Sequence, residues 1–251
     1  MAQTQTLPTL NVDVKPTRME SAYVAAPFDV AKEALEAQKY NIISLEQDAR
    51  LRMQQGKDSY ISRNGNWTRE GFVYHKELGI YLTKNSPIMS SPVEATQAHR
   101  NENEFYLNDE QVGRSLTNAI QIPKKQEPIP TKRFGEDKIT VFVFGDVAKQ
   151  YGEFLNNSGI KEMPICLANI GEKPFARQMW FGGLGFQSSL GGYNRDLGHD
   201  NRLRGVRESG EAGSQNFSNS SSIKTYTPEQ ISRALKKANL SGIENILFKN
   251  L

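Results

Sequence analysis

Three histidines, one cysteine and a scatter of carboxylates are the residues with which this 251-residue chain could perform covalent or acid–base chemistry. Their spacing assembles no familiar site. His75, His99 and His199 share no H-x-x-x-H or H-E-x-x-H pattern, so no helix face offers two imidazoles to one metal. No G-x-S-x-G run lifts a serine onto a strained turn. Cys166 stands alone, which excludes an internal disulfide and a cysteine-rich metal centre, and within MPICLAN it reads as a small buried apolar residue. The expectation is therefore no catalytic residue, no metal site, no cofactor and no enzyme.

Recognition is better served. From Phe181 to Val206 the chain reads FGGLGFQSSLGGYNRDLGHDNRLRGV, without Lys, Glu, Trp or Met, although charged residues make up 24% of the whole. In binding loops Tyr supplies contact area at low entropic cost, while Ser, Gly and Asn supply adaptable hydrogen bonds. Leu184, Leu190, Leu197 and Leu203 recur every six or seven residues, which predicts a ribbon of short strands and turns pinned to a core. A free linker would lack such anchors. Arg195, Arg202, Arg204 and Arg207 lie in and beside the same stretch. They could place guanidinium groups on phosphates while Phe186 or Tyr193 stacks on bases, or they could tie turns together by forked hydrogen bonds. With no lysine between Phe181 and Val206 the structural role is favoured, and nucleic acid is the alternative partner.

The elements that must position this ribbon are partly legible. Residues 1 to about 20 are polar and carry Pro8 and Pro16, as an extended arm would. Phe28 to Gln38 has helical spacing. Ser44 with Gln47 forms a capping-box pattern that opens a second helix, closed by Gly56. Glu70–His75 and Ile80–Leu82 predict a hairpin turning at Lys76–Gly79. The polar run Ala95–Glu104 predicts a loop, and Asp109–Leu116 a short helix. Pro123, Pro128 and Pro130 with Lys124, Lys125, Lys132 and Arg133 form a stiff basic connector, an internal boundary or a long loop. KITVFVF at 138–144 reads as the strongest strand, followed by Gly145-Asp146 and a helix over 147–156. That strand, turn and helix lack the glycine pattern of a phosphate cradle, so a structural reading is preferred. Met163–Asn169 predicts one further strand. After Val206 the run ESGEAGSQNFSNSSS is low in complexity; Thr227-Pro228 then opens a helix through Ala238, and IENILFKNL at 243–251 could pack back.

Length allows one sizeable core, with a single domain over 21–251 the default. The net charge of +3 is too small to demand nucleic acid or membrane. No run approaches roughly 18 apolar residues, and no signal peptide is visible, so a soluble, cytoplasmic protein is expected, with surface display requiring an unrecognised route.

The pattern W-F-x-x-L-x-x-x-x-S-L-x-x-x-x-R-x-L-x-x-x-N-R-x-R-G-V over 180–206 resembles the variable region of diversity-generating retroelement target proteins, specifically the archaeal, Nanoarchaeota type. In that family, adenine-specific copying errors spread AAC-type codons to Asn, Asp, Ser, Gly, Tyr, His, Phe and Arg, but never to Lys, Glu, Gln, Trp or Met. The gap in residue types agrees, and Gln187 departs from it. The resemblance implies an α+β chain, a C-type lectin-like domain with short strands, flanking helices and extensive irregular loops. It implies scaffold roles for Trp180, Leu184, Ser189, Leu190, Arg195, Leu197, Arg202, Arg204, Gly205 and Val206. It implies solvent-facing, ligand-binding positions at Gly182, Gly185, Phe186, Ser188, Tyr193, Asn194, Asp196, Gly198, His199 and Asp200, with Asn201 in either set. The ligand would be a protein or a surface structure of another cell, without calcium, and nucleic acid is disfavoured.

Overall fold

Strands β1 (Asn11–Val14) and β2 (Met19–Ala26) pair antiparallel in the computed structural model, which describes residues 8–14, 19–123, 125–186, 188–192 and 196–208, with Val14, Phe186 and Glu208 by their backbone alone. The segment that reads as an arm therefore adds strand to the sheet. Its polar character has a structural use, because Asp13 neutralises a buried arginine described below. Helix α1 (Phe28–Ala37) buries Phe28, Ala31, Ala34 and Leu35 on one face, as its spacing predicts. After β3 (Asn41–Ile42), Ser44 and Gln47 form the capping box of α2 (Leu45–Gln55), and Gly56 ends it with a φ of +84°. A single turn, α3 (Tyr60–Arg63), leads to β4 (Asn66–His75) and β5 (Gly79–Thr83), the predicted hairpin.

The next region corrects two expectations. The predicted loop is largely helix α4 (Pro92–Arg100), started by proline at its first position and held by buried Ala95, Thr96 and His99. β6 (Phe105–Tyr106), α5 (Asp109–Leu116), β7 (Ala119–Ile122) and β8 (Ile129–Pro130) follow. KITVFVF is not a strand but helix α6 (Lys138–Phe144). The Asp137 carboxylate accepts from Ile139 and Thr140 N–H at 3.0 and 2.9 Å, and the buried residues Ile139, Thr140, Val143 and Phe144 lie at helical spacing. Capping and burial of one face outweigh the β preference of Ile, Thr, Val and Phe. With no strand there, the strand–turn–helix cradle does not exist.

Helix α7 (Ala148–Asn157) precedes β9 (Glu162–Met163) and β10 (Ile165–Cys166). Pro164 splits the single strand expected here, and the halves join different sheets. Cys166 is exposed, not buried, because β10 turns its side chain away from the core. β11 (Phe175–Phe181), β12 (Leu190–Gly191) and β13 (Asn201–Glu208) complete the described chain. The low-complexity run and the helix and packing segment expected after it lie outside the described residues.

Among the described residues the main sheet runs β1-β2-β13-β4-β11-β12-β10, with β3 beside β13, β5 and β7 beyond β4, and β6 on β11; β8 and β9 form a separate pair. β13 pairs antiparallel with β2 from Asn201↔Ala26 to Glu208↔Met19, so the strand leaving the ribbon closes on the start of the fold. β4 is buried on both faces. Phe72 and Tyr74 join Phe134, Phe144, Tyr151 and Phe181 in one core beneath α2, α6 and α7, whereas Trp67 and Val73 join Phe28, Trp180, Leu197 and Leu203 in a second beneath α1. The period-two alternation of a strand thus feeds two cores. The described residues of the basic connector belong to one compact unit with the elements on either side of it.

Candidate ligand-binding site

The ribbon leaves β11 at Gly182 and returns as β13 at Asn201. Its entry is fastened by a buried charge that no sequence motif announced. Asp48 and Arg52, one turn apart on α2, are both fully buried and paired at 2.6 Å. Arg52 Nη1 donates to the Gly182 carbonyl at 2.8 Å and contacts the Tyr151 hydroxyl at 3.5 Å, while its guanidinium lies 3.8 Å from the Phe181 ring centroid. The Tyr151 hydroxyl in turn meets Ser188 Oγ at 3.4 Å. Burial pushes the Tyr151 phenol upward, with Asp48 adding to it and the Arg52 guanidinium and Ser188 hydroxyl opposing, so it stays neutral. Gly182 N–H donates to Ser189 O at 2.8 Å and Ser188 N–H to Gly183 O at 3.2 Å, which close the loop across its neck.

Further along, Leu190 N–H donates to Pro164 O and Gly192 N–H to Cys166 O, while the Tyr74 hydroxyl donates to Gly192 O at 3.2 Å. The exit turn is held around Leu197, whose side chain is fully buried. Its carbonyl accepts from Phe28 N–H at 2.8 Å, and its N–H makes a long 3.5 Å contact with His99 Nδ1. Burial pushes His99 down from 6.5 to about 4, Arg177 acts in the same direction, and Asp196 opposes. His99 is therefore neutral at pH 7 and can accept. Asp196 Oδ1 accepts from Gly198 N–H at 2.7 Å, an Asx turn, and its other oxygen sits 3.0 Å from His199 Nδ1.

The ten positions expected to face solvent divide. Gly185, His199 and Asp200 are exposed, and Asp196 and Gly198 are half-buried. Gly182 and Ser188 are buried, contrary to expectation. A Cβ on Gly182 would lie 2.8 Å from Ser189 N, and Ser188 adopts a φ of +45° beside Tyr151, so neither can present a side chain outward. The Phe186 side chain, Tyr193 and Asn194 lie outside the described residues. Of the scaffold set, Leu190, Leu197, Arg204 and Val206 are buried, as are Trp180 and Gly205, whereas Leu184, Ser189 and Arg202 are half-buried and Arg195 is not described.

The described arginines of the cluster, Arg202, Arg204 and Arg207, each meet a partner within the fold. Fully buried Arg204 forms a bidentate pair with Asp13 at 2.6 and 2.8 Å and reaches Ser21 and Asn66. Arg207 pairs with Glu20 at 2.8 Å, and Arg202 Nε donates to the Tyr60 hydroxyl at 2.9 Å. Sequence reasoning missed Asp48, Arg52, Tyr151, Tyr74 and His99 as holders of the ribbon. The i, i+4 spacing of Asp48 and Arg52 marked a helical ion pair, but nothing local marked its burial. Among the described residues no three His, Cys, Asp or Glu side chains gather as metal ligands, and no helix is long and apolar enough to cross a membrane.

No family model and no curated protein matches the chain. A solved structure does, described as the accommodation of massive sequence variation in Nanoarchaeota by the C-type lectin fold; it aligns with a TM-score of 0.56 and 17% identity, covering 78% of this chain and 100% of that one. The fold is therefore the C-type lectin fold, a mixed α and β architecture.

Proposed function

We propose that the ribbon between Gly182 and Asn201 is a diversified ligand-binding face, that the protein recognises rather than transforms its ligand, and that a retroelement of the kind its sequence resembles supplies the variation. One observation carries this reading. The contacts that fasten the ribbon to the fold go mainly to its main chain: Gly182 O, Leu190 N–H, Gly192 N–H and O, and Leu197 N–H and O. Main-chain groups are the same whatever side chain a codon specifies. A Cβ on exposed Gly185 would meet nothing within 4 Å, and His199 and Asp200 project from a turn closed by Asp196. Such positions accept new side chains without disturbing the core.

The palette of the ribbon and the sequence variation described for the Nanoarchaeota structure support the same reading. Gly182 and Ser188, being buried, belong with the fixed frame. The ligand is a protein or a cell-surface structure, engaged by aromatic anchors with short polar residues around them. Nucleic acid is disfavoured because Arg204 and Arg207 are already neutralised by carboxylates.

A display library tests it. Gly185, Phe186, Tyr193, Asn194, His199 and Asp200 are randomised with adenine-variable codons, and folded protein is scored by resistance to protease. Most members are expected to fold, while the same randomisation at Gly182 and Ser188 abolishes folding. General loss of folding in the first library overturns the proposal.

A further inference from the structure

A second recognition element adjoins the ribbon but lies outside it. Tyr60, the first residue of α3, is 38% exposed, and its ring stacks on Tyr23 of β2 with centroids 4.9 Å apart and planes 15° from parallel. Its hydroxyl accepts from Arg202 Nε, and the Arg202 guanidinium lies 5.7 Å from the Tyr60 ring centroid. α3 packs against the 184–186 turn, and a Cβ on Gly183 would lie 2.3 Å from Arg63 O. Arg202 directly follows Asn201. Tyr60 is thus joined to the entry of the ribbon through its helix and to the exit through Arg202.

Charge distinguishes this patch from the rest of β13. Arg204 and Arg207 each meet a carboxylate, whereas among the described residues Arg202 and exposed Arg63 meet none. Arg202 uses Nε on Tyr60, and no described side chain or carbonyl takes its two Nη groups. A half-exposed guanidinium fixed against a tyrosine is pre-oriented for a forked pair with a carboxylate, and its side-chain freedom is already spent. A polyanion suits the site poorly, because Asp196 and Asp200 lie on the adjoining turn.

Resting on the reading of the ribbon as a ligand face, we propose that Tyr60 and Arg202 form a fixed subsite for an Asp or Glu side chain of a protein ligand, one whose neighbouring apolar or aromatic residue covers the Tyr60 ring. The subsite would not vary with the ribbon, and would orient different ligands alike.

Random dodecamer peptides displayed on phage and selected on the full chain supply the probe, with one enriched peptide then measured by fluorescence anisotropy. Enrichment of Asp or Glu beside an aromatic residue is expected. Arg202→Gln and the peptide's own Glu→Gln should each weaken binding at least tenfold, and the two changes together no more than either alone. Arg202→Lys, with the charge but not the fork, should recover part of the loss, and an unchanged melting temperature separates lost binding from lost folding. Enriched peptides without acidic residues, or additive losses, overturn the subsite. Binding that responds to His199→Ala or Asp200→Ala but not to Arg202→Gln removes the subsite and leaves the ribbon; indifference to all three removes both. Arg202-dependent binding of a twenty-nucleotide oligo-dT strand, tighter than that of any selected peptide, would replace the carboxylate by phosphate and overturn it equally.

Discussion

The entry and exit of the ribbon are fastened by opposite means. At the entry, fully buried Asp48 and Arg52 hold the Gly182 carbonyl, with Tyr151 and Ser188 completing a polar knot. At the exit, a buried leucine is wedged between α1 and α4, and a neutral imidazole and a backbone N–H take its main-chain groups. Charge inside a core costs much and fixes direction; apolar burial costs little and fixes only depth. The difference predicts a stiff entry, and an exit turn whose tip can change while Leu197 stays in place.

Breaking the entry should have the largest effect. Arg52→Met strands Asp48 without a partner in the core and is expected to destabilise by about 3–5 kcal/mol in denaturant unfolding. Adding Asp48→Leu should restore much of that loss, since no buried charge then remains unpaired. Leu197→Ala at the exit should cost about 2–5 kcal/mol through lost burial and the cavity left behind.

Acid should tell the two ends apart. His99 is neutral and buried with a folded value near 4 against 6.5 unfolded, so its contribution is present above pH 6.5 and is lost as pH falls toward 4. The unfolded chain takes up the proton first. A loss of up to about 3 kcal/mol attributable to His99 is expected over that window, absent in His99→Gln and measurable as the difference between the two pH–stability curves. Amide exchange at Leu197 and Gly198 should accelerate before exchange at Gly182. The smallest effects belong to the tip, where His199→Ala and Asp200→Ala should each stay within about 0.5 kcal/mol of the parent. A large loss there would mean the tip is part of the frame.

Legibility followed locality. The capping box at Ser44, the β4–β5 hairpin and the anchors Leu190, Leu197 and Leu203 were readable because each is decided by a few neighbouring residues. The helix at 138–144 was not, because its strand-like composition was overruled by an aspartate cap and by which face met the core. Gly182 and Ser188 fitted the residue palette of an exposed ribbon, yet they lie over Arg52 and Tyr151, residues about 130 and 37 positions away along the chain.

The sequence by itself determined that a carboxy-side ribbon of small polar and aromatic residues is punctuated by leucines and lies outside any recognisable catalytic pattern, because composition and short-range spacing are written in consecutive residues. Only the tertiary structure decided what holds that ribbon. Asp48, Arg52, Tyr74, His99, Tyr151 and Phe28 come from four helices and a strand, and their convergence around it depends on sheet order and burial, which no local stretch of sequence encodes.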